Sequence, residues 1–284
     1  QWQEEFEAYR ASPQYIKINQ GMSLPEFKTI FWPEYWHRVL GRLIGAVFFI
    51  PLIIFAARKS ISRRFALRLF CIFALGGLQG LAGWLMVKSG LVDAPHVSHF
   101  RLAIHLSLAF LIAGLLVWAI LGLRQGARGK SEEAVISAHA SCLMPLAFYQ
   151  FWFVLLCLQI ILGAFVAGLH AGLVYNTWPT MNGAWLPPEL WAAGPWHSDP
   201  AVIQFLHRTL AVLLTFGFIL WWFLNRRYVK NRHLGKVCVG VTALIALQFA
   251  LGVLTLLHAV PLPLALAHQM TALLLFVASV VLMH

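Results

Sequence analysis

The sequence predicts an all-α polytopic membrane protein with an internal repeat. The observations behind this prediction are the composition, seven long apolar stretches and a polar pattern that occurs twice. Apolar residues make up 60% of the 284 residues and charged residues 11%, against roughly 45–50% and 25% in ordinary globular domains. This composition excludes a soluble domain and a disordered chain. The four cysteines have no paired spacing, which argues against a disulfide framework or a zinc site.

A membrane-spanning helix needs about 20 mostly apolar residues. Seven stretches meet this requirement, at roughly 38–57, 69–88, 102–123, 145–169, 203–224, 237–258 and 262–283. Residues 1–36 are polar and mixed in charge. We therefore expect them to form a segment on the outer face, and neither a signal peptide nor an anchor.

Lys and Arg concentrate in three connections between the predicted spans. Residues 58–68, 124–133 and 225–236 together hold thirteen Lys and Arg and two acidic residues, and so carry the whole net charge of +11. The opposite side balances eight basic residues with eight acidic ones. Because excess Lys and Arg marks the cytoplasmic or matrix face, the charge is explained by topology and indicates no nucleic-acid partner.

The outer connection 170–202 contains four Trp and five Pro but no Lys or Arg. Aromatic rings of this kind concentrate at membrane–water interfaces. We expect this connection to pack on the outer membrane surface, with its aromatic rings at headgroup depth.

An ordered pattern of polar residues occurs once in each half. The first copy is His37-Arg38, Leu78-Gln79-x-x-x-Gly83 and His105. The second copy is His207-Arg208, Leu247-Gln248-x-x-x-Gly252 and His268. The first histidine precedes the glutamine by 42 and 41 residues, and the last one follows it by 26 and 20 residues. The matched order and spacing indicate a duplication.

The repeat predicts one more helix than the seven stretches provide. The second half has a stretch at 145–169 before its His-Arg pair, whereas the first half has only residues 1–36 there. We expect that the sequence lacks an amino-terminal span, that the intact protein has eight spans, and that the carboxyl end at His284 is also shortened.

Four histidines begin predicted spans on the outer side, on four separate helices: His37, His105, His207 and His268. An ionisable residue inside a membrane is costly and is a functional candidate. Two imidazoles from facing helices suit a haem iron, whereas zinc requires three or four ligands. One haem per half, near the outer face, is the simplest interpretation, since capping or packing roles would leave the repeat unexplained.

The two histidine sites have different neighbours. Glu34 precedes His37 by three residues, where Gln204 precedes His207, and Arg101 precedes His105 by four, where Leu264 precedes His268. Such neighbours share a helix face, so the first site has a carboxylate that can move protons, and the second suits a permanently held haem.

Other roles remain open for these charged residues. Glu34 is also spaced to form an ion pair with Arg38 on the next helical turn. Arg38 and Arg208 suit haem propionates at the membrane surface, and Arg101 is a further candidate for binding the cofactor.

Three stretches resemble haem A synthase: Glu34-Tyr35-Trp36-His37-Arg38 followed by Gly41-Arg42, residues 78–91 (LQGLAGWLMVKSGL) and residues 163–179 (GAFVAGLHAGLVYNTWP). Residues 2–9, with Pro25-Glu26-Phe27-Lys28, resemble the mitochondrial and alphaproteobacterial branch of that family. The resemblance covers essentially the whole chain in the same order. The first helix of the family and the outer-loop cysteine pair of some members have no counterpart here.

The resemblance implies two four-helix bundles and oxidation of the C8 methyl group of haem O to a formyl group, giving haem A for terminal oxidases. It implies that His207 and His268 hold a haem b, and that His37, His105 and Glu34 form the site for the substrate haem. It further implies haem O synthase as a partner and a bacterial plasma membrane or mitochondrial inner membrane as the location, with a homo-oligomer left open.

From the spans and the resemblance together we expect four regions. They are an outer segment at 1–36, a first bundle at 37–123, a cytoplasmic connection at 124–144 and a second bundle at 145–284.

Two other function classes compete with this interpretation. A dihaem b-type cytochrome that exchanges electrons with quinone would use the same four histidines, but it leaves the difference between Glu34 and Gln204 unexplained. An assembly scaffold would leave all four histidines unexplained.

Overall fold

The computed structural model describes residues 1–92, 97–127, 143–192, 194–226 and 232–284. Its helices are α1 (Trp2–Arg10), α2 (Pro13–Lys17), α3 (Leu24–Ala57), α4 (Arg63–Val92), α5 (His99–Ala127), α6 (Leu143–Gly168), α7 (Pro200–Asn225), α8 (Arg232–Leu257) and α9 (Leu262–Met283). Within these ranges, the seven helices from α3 to α9 are long and apolar enough to cross a membrane. This confirms the predicted all-α polytopic class and its seven spans. Most of the predicted connection at 124–144 and part of that at 225–236 lie outside the described residues.

The polar segment at residues 1–36 contains α1, α2 and the beginning of α3, so α3 begins well before the span predicted from residue 38. The backbone N–H and the hydroxyl of Ser23 donate to Glu26 Oε2 at 2.8 and 2.7 Å. This cap, in which the Glu26 carboxylate accepts both bonds from Ser23, starts a helix among polar residues, with Pro25 in its first turn. Glu34 and His37 therefore lie on one continuous helix, a turn apart.

The chain forms two compact units, Gln1–Ile112 and Ala113–His284, which divide within α5. In the first unit, aromatic rings pack α1 onto the beginning of α3. The ring centroids of Trp2 and Phe31 are 5.1 Å apart, and Phe27 lies 5.2 Å from Phe6 and 5.1 Å from Tyr9. Such pairs contribute about 0.5–1.5 kcal/mol beyond their buried area, so they anchor the amino-terminal helix to α3.

In the second unit, α6 contacts α7 and α9, and α8 contacts the same two helices, so the four helices form a closed bundle. Its core contains Tyr149, Trp152, Phe218, Cys238 and Leu275, among others. The polar atoms of these side chains have partners. The Trp152 indole donates to the Leu214 carbonyl at 3.2 Å, and the Tyr149 hydroxyl lies 3.1 Å from Cys238 Sγ. The core thus buries its aromatic rings without leaving those groups unpaired.

Helix α7 begins at a strong cap. The Asp199 carboxylate accepts from the backbone N–H groups of Ala201 and Val202 at 2.8 and 3.1 Å, and Pro200 occupies the first position. A side-chain acceptor and a proline at these positions favour helix initiation. The cap fixes the start of α7 two turns before His207.

Candidate functional site

The first unit brings together the histidines of its repeat copy. His37 lies on α3 and His105 on α5, and their ring centroids are 6.5 Å apart with an interplanar angle of 64°. Imidazole nitrogen binds a metal such as zinc at about 2.0–2.1 Å. Two imidazole rings that bind the same ion must therefore stand further apart than rings in direct contact. The 6.5 Å between the centroids of His37 and His105 leaves room for such an ion.

A glutamine and a glycine on α4 seat the ring of His105. Gln79 Nε2 lies 3.4 Å from His105 Nε2. A Cβ atom added to Gly83 would stand only 2.9 Å from His105 Cε1. The ring thus occupies the space that a side chain at this position would fill. His105 Nδ1 is buried and has no hydrogen-bond partner among the described residues, which leaves it free for another ligand.

The charged neighbours predicted for the first site engage groups within their own unit. The Glu34 carboxylate accepts a hydrogen bond from Arg38, with the side chains 48% and 56% exposed, respectively. Arg101 Nη1 donates to the Leu85 carbonyl at 3.2 Å. The ion pair considered as an alternative role for Glu34 is therefore present, and its carboxylate remains half exposed to solvent.

The second unit repeats this arrangement on both of its histidines. His207 on α7 faces Gln159 and Gly163 of α6, and His268 on α9 faces Gln248 and Gly252 of α8. The distances from amide Nε2 to imidazole Nε2 are 3.4 and 3.2 Å. An added Cβ would lie 3.2 Å from His207 Cε1 and 3.0 Å from His268 Cε1.

His207 and His268 lie on α7 and α9 of the same four-helix bundle. In both, Nδ1 is buried without a hydrogen-bond partner in the described part of the chain. A buried polar atom without a hydrogen-bond partner requires an explanation, and one such explanation is that the atom binds a metal ion. These atoms, and the slots left by the glycines, fit imidazoles that bind a metal centre.

Gln204 and Arg208 join α7 to the connection that precedes it. The Gln204 amide donates to the Tyr175 carbonyl at 3.0 Å. Arg208 donates to the same carbonyl and, at 3.1 Å, to that of Thr177. The position that carries a solvent-exposed carboxylate in the first unit therefore carries a buried structural amide in the second.

The outer connection has one tryptophan packed against a helix and three that are exposed. Trp178 packs against Phe249 with centroids 5.5 Å apart, whereas Trp185, Trp191 and Trp196 are 73%, 80% and 57% exposed. Partial burial, together with the hydrogen bond to Glu189, raises the pKa of Tyr175. The placement of the exposed tryptophan rings at headgroup depth stays a prediction.

One part of the site was missed from the sequence. Gln159 and Gly163 belong to Leu158-Gln159-x-x-x-Gly163, which has the same form as the two motifs recognised in the repeat. The signal was therefore present. The sequence did not show that these motifs contact histidines. No cluster of three or more His, Cys, Asp or Glu placed to hold a metal occurs among the described residues.

Comparison with known proteins gives consistent matches along the chain. Residues 1–280 match the family model described as cytochrome oxidase assembly protein. The chain is 45% identical over 287 residues to a protein named Heme A synthase from Nitrosospira multiformis, covering 100% of this chain and 79% of the relative. Proteins of the same name from Parvibaculum lavamentivorans and Paracoccus denitrificans are 44% and 42% identical, with 98% and 97% of this chain and 78% and 72% of the relatives covered.

Proposed function

The chain belongs to the haem A synthase family of cytochrome oxidase assembly proteins, and we propose that it oxidises the C8 methyl group of haem O to a formyl group, giving haem A. The observation that carries this proposal is the difference between two similar histidine sites. Glu34 stands beside His37 with its carboxylate half exposed, whereas Gln204 is only 2% exposed beside His207. The first site is suited to chemistry and the second to permanent binding.

We assign His207 and His268 to a resident haem b. Haem b, when bound, supplies one-electron redox chemistry. The buried, unpartnered Nδ1 atoms of both histidines support the assignment, as do the glycine slots that admit their rings. Both rings also contact glutamine amides, so the pair is held before any haem arrives.

We assign His37 and His105 to the iron of the substrate haem O. Replacing two C–H bonds of a methyl group by one C=O bond, with water as the oxygen source, releases four protons and four electrons. The four electrons require an oxidant outside the site, and the four protons require a base within it. Glu34 lies one turn from His37 and is half exposed, so it can receive a proton and pass it to solvent.

The three arginines near the histidines are the candidates for binding haem propionates. Arg38 and Arg208 each follow a histidine directly, and Arg101 precedes His105 by one helical turn. A guanidinium group suits bidentate carboxylate recognition. Arg208 Nε is buried without a hydrogen-bond partner among the described residues, so this arginine retains a donor although it also binds the outer connection.

The protein is a multi-pass membrane protein by its family and its seven apolar helices. We place both haem sites near the face opposite the Lys- and Arg-rich connections. This is the periplasmic face in bacteria and the intermembrane-space face in mitochondria. Haem O synthase, as the source of the substrate, is the partner that this reaction requires.

Haem extraction from the purified full-length protein, combined with its visible spectrum, tests the proposal. Haem O or haem A recovered beside haem b supports the oxidation. Haem b alone in both sites would establish the dihaem cytochrome instead, and protein without haem would establish a scaffold.

A further inference from the structure

Three helices carry the same short motif, each facing a histidine on the next long helix. The motif is Leu-Gln-x-x-x-Gly, at residues 78–83 on α4, 158–163 on α6 and 247–252 on α8. The histidines are His105, His207 and His268, respectively. A contact that recurs three times at the same motif positions indicates a built feature of the fold.

The geometry of the three contacts is nearly constant. The amide nitrogen lies 3.4, 3.4 and 3.2 Å from imidazole Nε2, and an added glycine Cβ would stand 2.9, 3.2 and 3.0 Å from Cε1. Residues four apart lie on one helix face. The glycine therefore makes room for the ring against the backbone, while the glutamine contacts the same ring one turn earlier.

Other glycines on these helices do not share this role. Gly76, Gly77 and Gly80 on α4 and Gly240 on α8 have nothing within 4 Å of an added Cβ. Exposed glutamines also occur on the helices of these pairs, such as Gln150 on the motif helix α6 and Gln269 beside His268 on the histidine helix α9. Among the described residues, the close approach to a histidine ring thus occurs at the motif glycines, whereas an added Cβ at Gly114 on α5 would approach a phenylalanine instead, at 3.1 Å from Phe276 Cε1.

The chemistry of the amide suits an imidazole that binds a metal. Metal-bound histidine is usually oriented by a hydrogen bond to its second ring nitrogen, and loss of that partner typically costs about 10–100-fold in metal affinity or activity. The amide can donate or accept, so it suits either tautomer. In all three pairs the glutamine Oε1 and the histidine Nδ1 are buried without partners among the described residues, so the ring keeps one nitrogen available.

We infer that Gln79, Gln159 and Gln248 are positioning residues, which hold His105, His207 and His268 in the orientation that haem iron requires. Gly83, Gly163 and Gly252 provide the slots in which these rings lie. The inference rests on the proposed function, because it presumes that the histidines bind haem.

The test compares Gln248→Leu with Gln269→Leu in the full-length protein loaded with haem b. Leucine keeps much of the side-chain volume but removes the amide. We expect Gln248→Leu to lose haem about 10–100-fold faster than wild type and to alter the low-spin electron paramagnetic resonance signal and the midpoint potential. Gln269→Leu, exposed on the next helix, should match wild type in all three measurements.

A second pair of variants tests the slot beside Gly252, and it keeps the inference testable if Gln248→Leu fails to fold. Gly252→Ala places a methyl group against the His268 ring, whereas Gly240→Ala on the same helix meets open space. We expect only Gly252→Ala to shift the resonance signal and accelerate haem loss. Gln159→Leu with Gln150→Leu as its control repeats the comparison at His207.

Wild-type spectra, potential and haem retention in Gln248→Leu and Gln159→Leu would overturn the inference, as would equal effects in the control variants. A failure of the proposed function looks different. If His268→Ala kept a bis-imidazole spectrum, the haem site itself would be wrong, whereas loss of that spectrum with unaffected glutamine variants would overturn only the positioning role.

Discussion

Glu34 and Gln204 occupy matched positions, each three residues before the first histidine of its site. Gln204 is buried and donates to the Tyr175 carbonyl, so it fixes an adjacent loop. Glu34 is half exposed and bound only by the flexible side chain of Arg38 among the hydrogen bonds identified. An exposed ion pair of this kind contributes about 0–1 kcal/mol, so Glu34 can change partners at little cost during a reaction.

We predict that Glu34→Gln lowers the rate of haem A formation by about 10²–10⁴-fold, the usual contribution of a general acid–base group, while both haems still bind. Haem extraction after a timed reaction measures this loss. Glu7→Gln, which breaks the exposed pair between Glu7 and Arg10, serves as the control and should keep the wild-type rate. A near-normal rate in Glu34→Gln would remove the catalytic role of this residue.

The two histidines assigned to haem b are the subject of a second prediction. His207→Ala or His268→Ala should abolish the low-spin haem b signal, because each imidazole has a single counterpart across the site and the neighbouring glutamine amides do not replace an imidazole as an iron ligand. The reduced-minus-oxidised visible spectrum shows the change. His258→Ala, an exposed histidine at the end of α8, should leave the spectrum intact. Persistence of the signal in both site variants would contradict the assignment.

The proximity of His37 and His105 was predictable, whereas the glutamine contacts were not. Matched spacing in the two repeat copies identified His37, His105, His207 and His268, and the structure brings His37 and His105 together. These helices are apolar on nearly every face, so hydrophobic periodicity does not indicate which face turns inward. The role of Gln79, Gln159 and Gln248 therefore depends on packing that the sequence pattern leaves undetermined.

At the scale of helices, the predicted boundaries agree with the structure where a helix and its apolar stretch begin and end at the same residues. The last span was predicted at 262–283, and α9 is Leu262–Met283. The first span was predicted from residue 38, but α3 begins at Leu24. Hydropathy locates the part of a helix that lies in lipid, whereas caps such as Ser23 with Glu26 determine where the helix begins.

The Asp199 cap at the start of α7 is expected to stabilise the protein. Asp199→Ala removes the acceptor for two backbone N–H groups and should destabilise the protein by about 1 kcal/mol. That loss corresponds to roughly 2–4 °C in the melting midpoint for a unit of this size, measured by thermal unfolding in detergent. Asp199→Asn keeps a capping oxygen and should melt close to wild type. Equal melting of Asp199→Ala and wild type would show that the cap is energetically silent.

At the scale of the whole molecule, the distribution of charge determines the orientation in the membrane. The net charge of +11 lies on the connections of one side, and such connections remain in the cytoplasm or matrix. In the orientation that we propose, the exposed tryptophans of the outer connection lie on the other side, where aromatic rings favour the interface. The histidine sites then lie near the outer face.

Cysteine labelling tests this orientation in a bacterial host, in a variant whose four native cysteines are replaced by alanine. A cysteine at Ala192, in the outer connection, should react with a membrane-impermeant maleimide in intact spheroplasts, because its position is exposed and the proposed topology assigns it to the face opposite the basic connections. A cysteine at Ser60, in the exposed turn between α3 and α4, should react only in inside-out vesicles. The parent variant without cysteine controls for background labelling. The reverse pattern would show that the haem sites face the cytoplasm, and it would overturn the assigned topology.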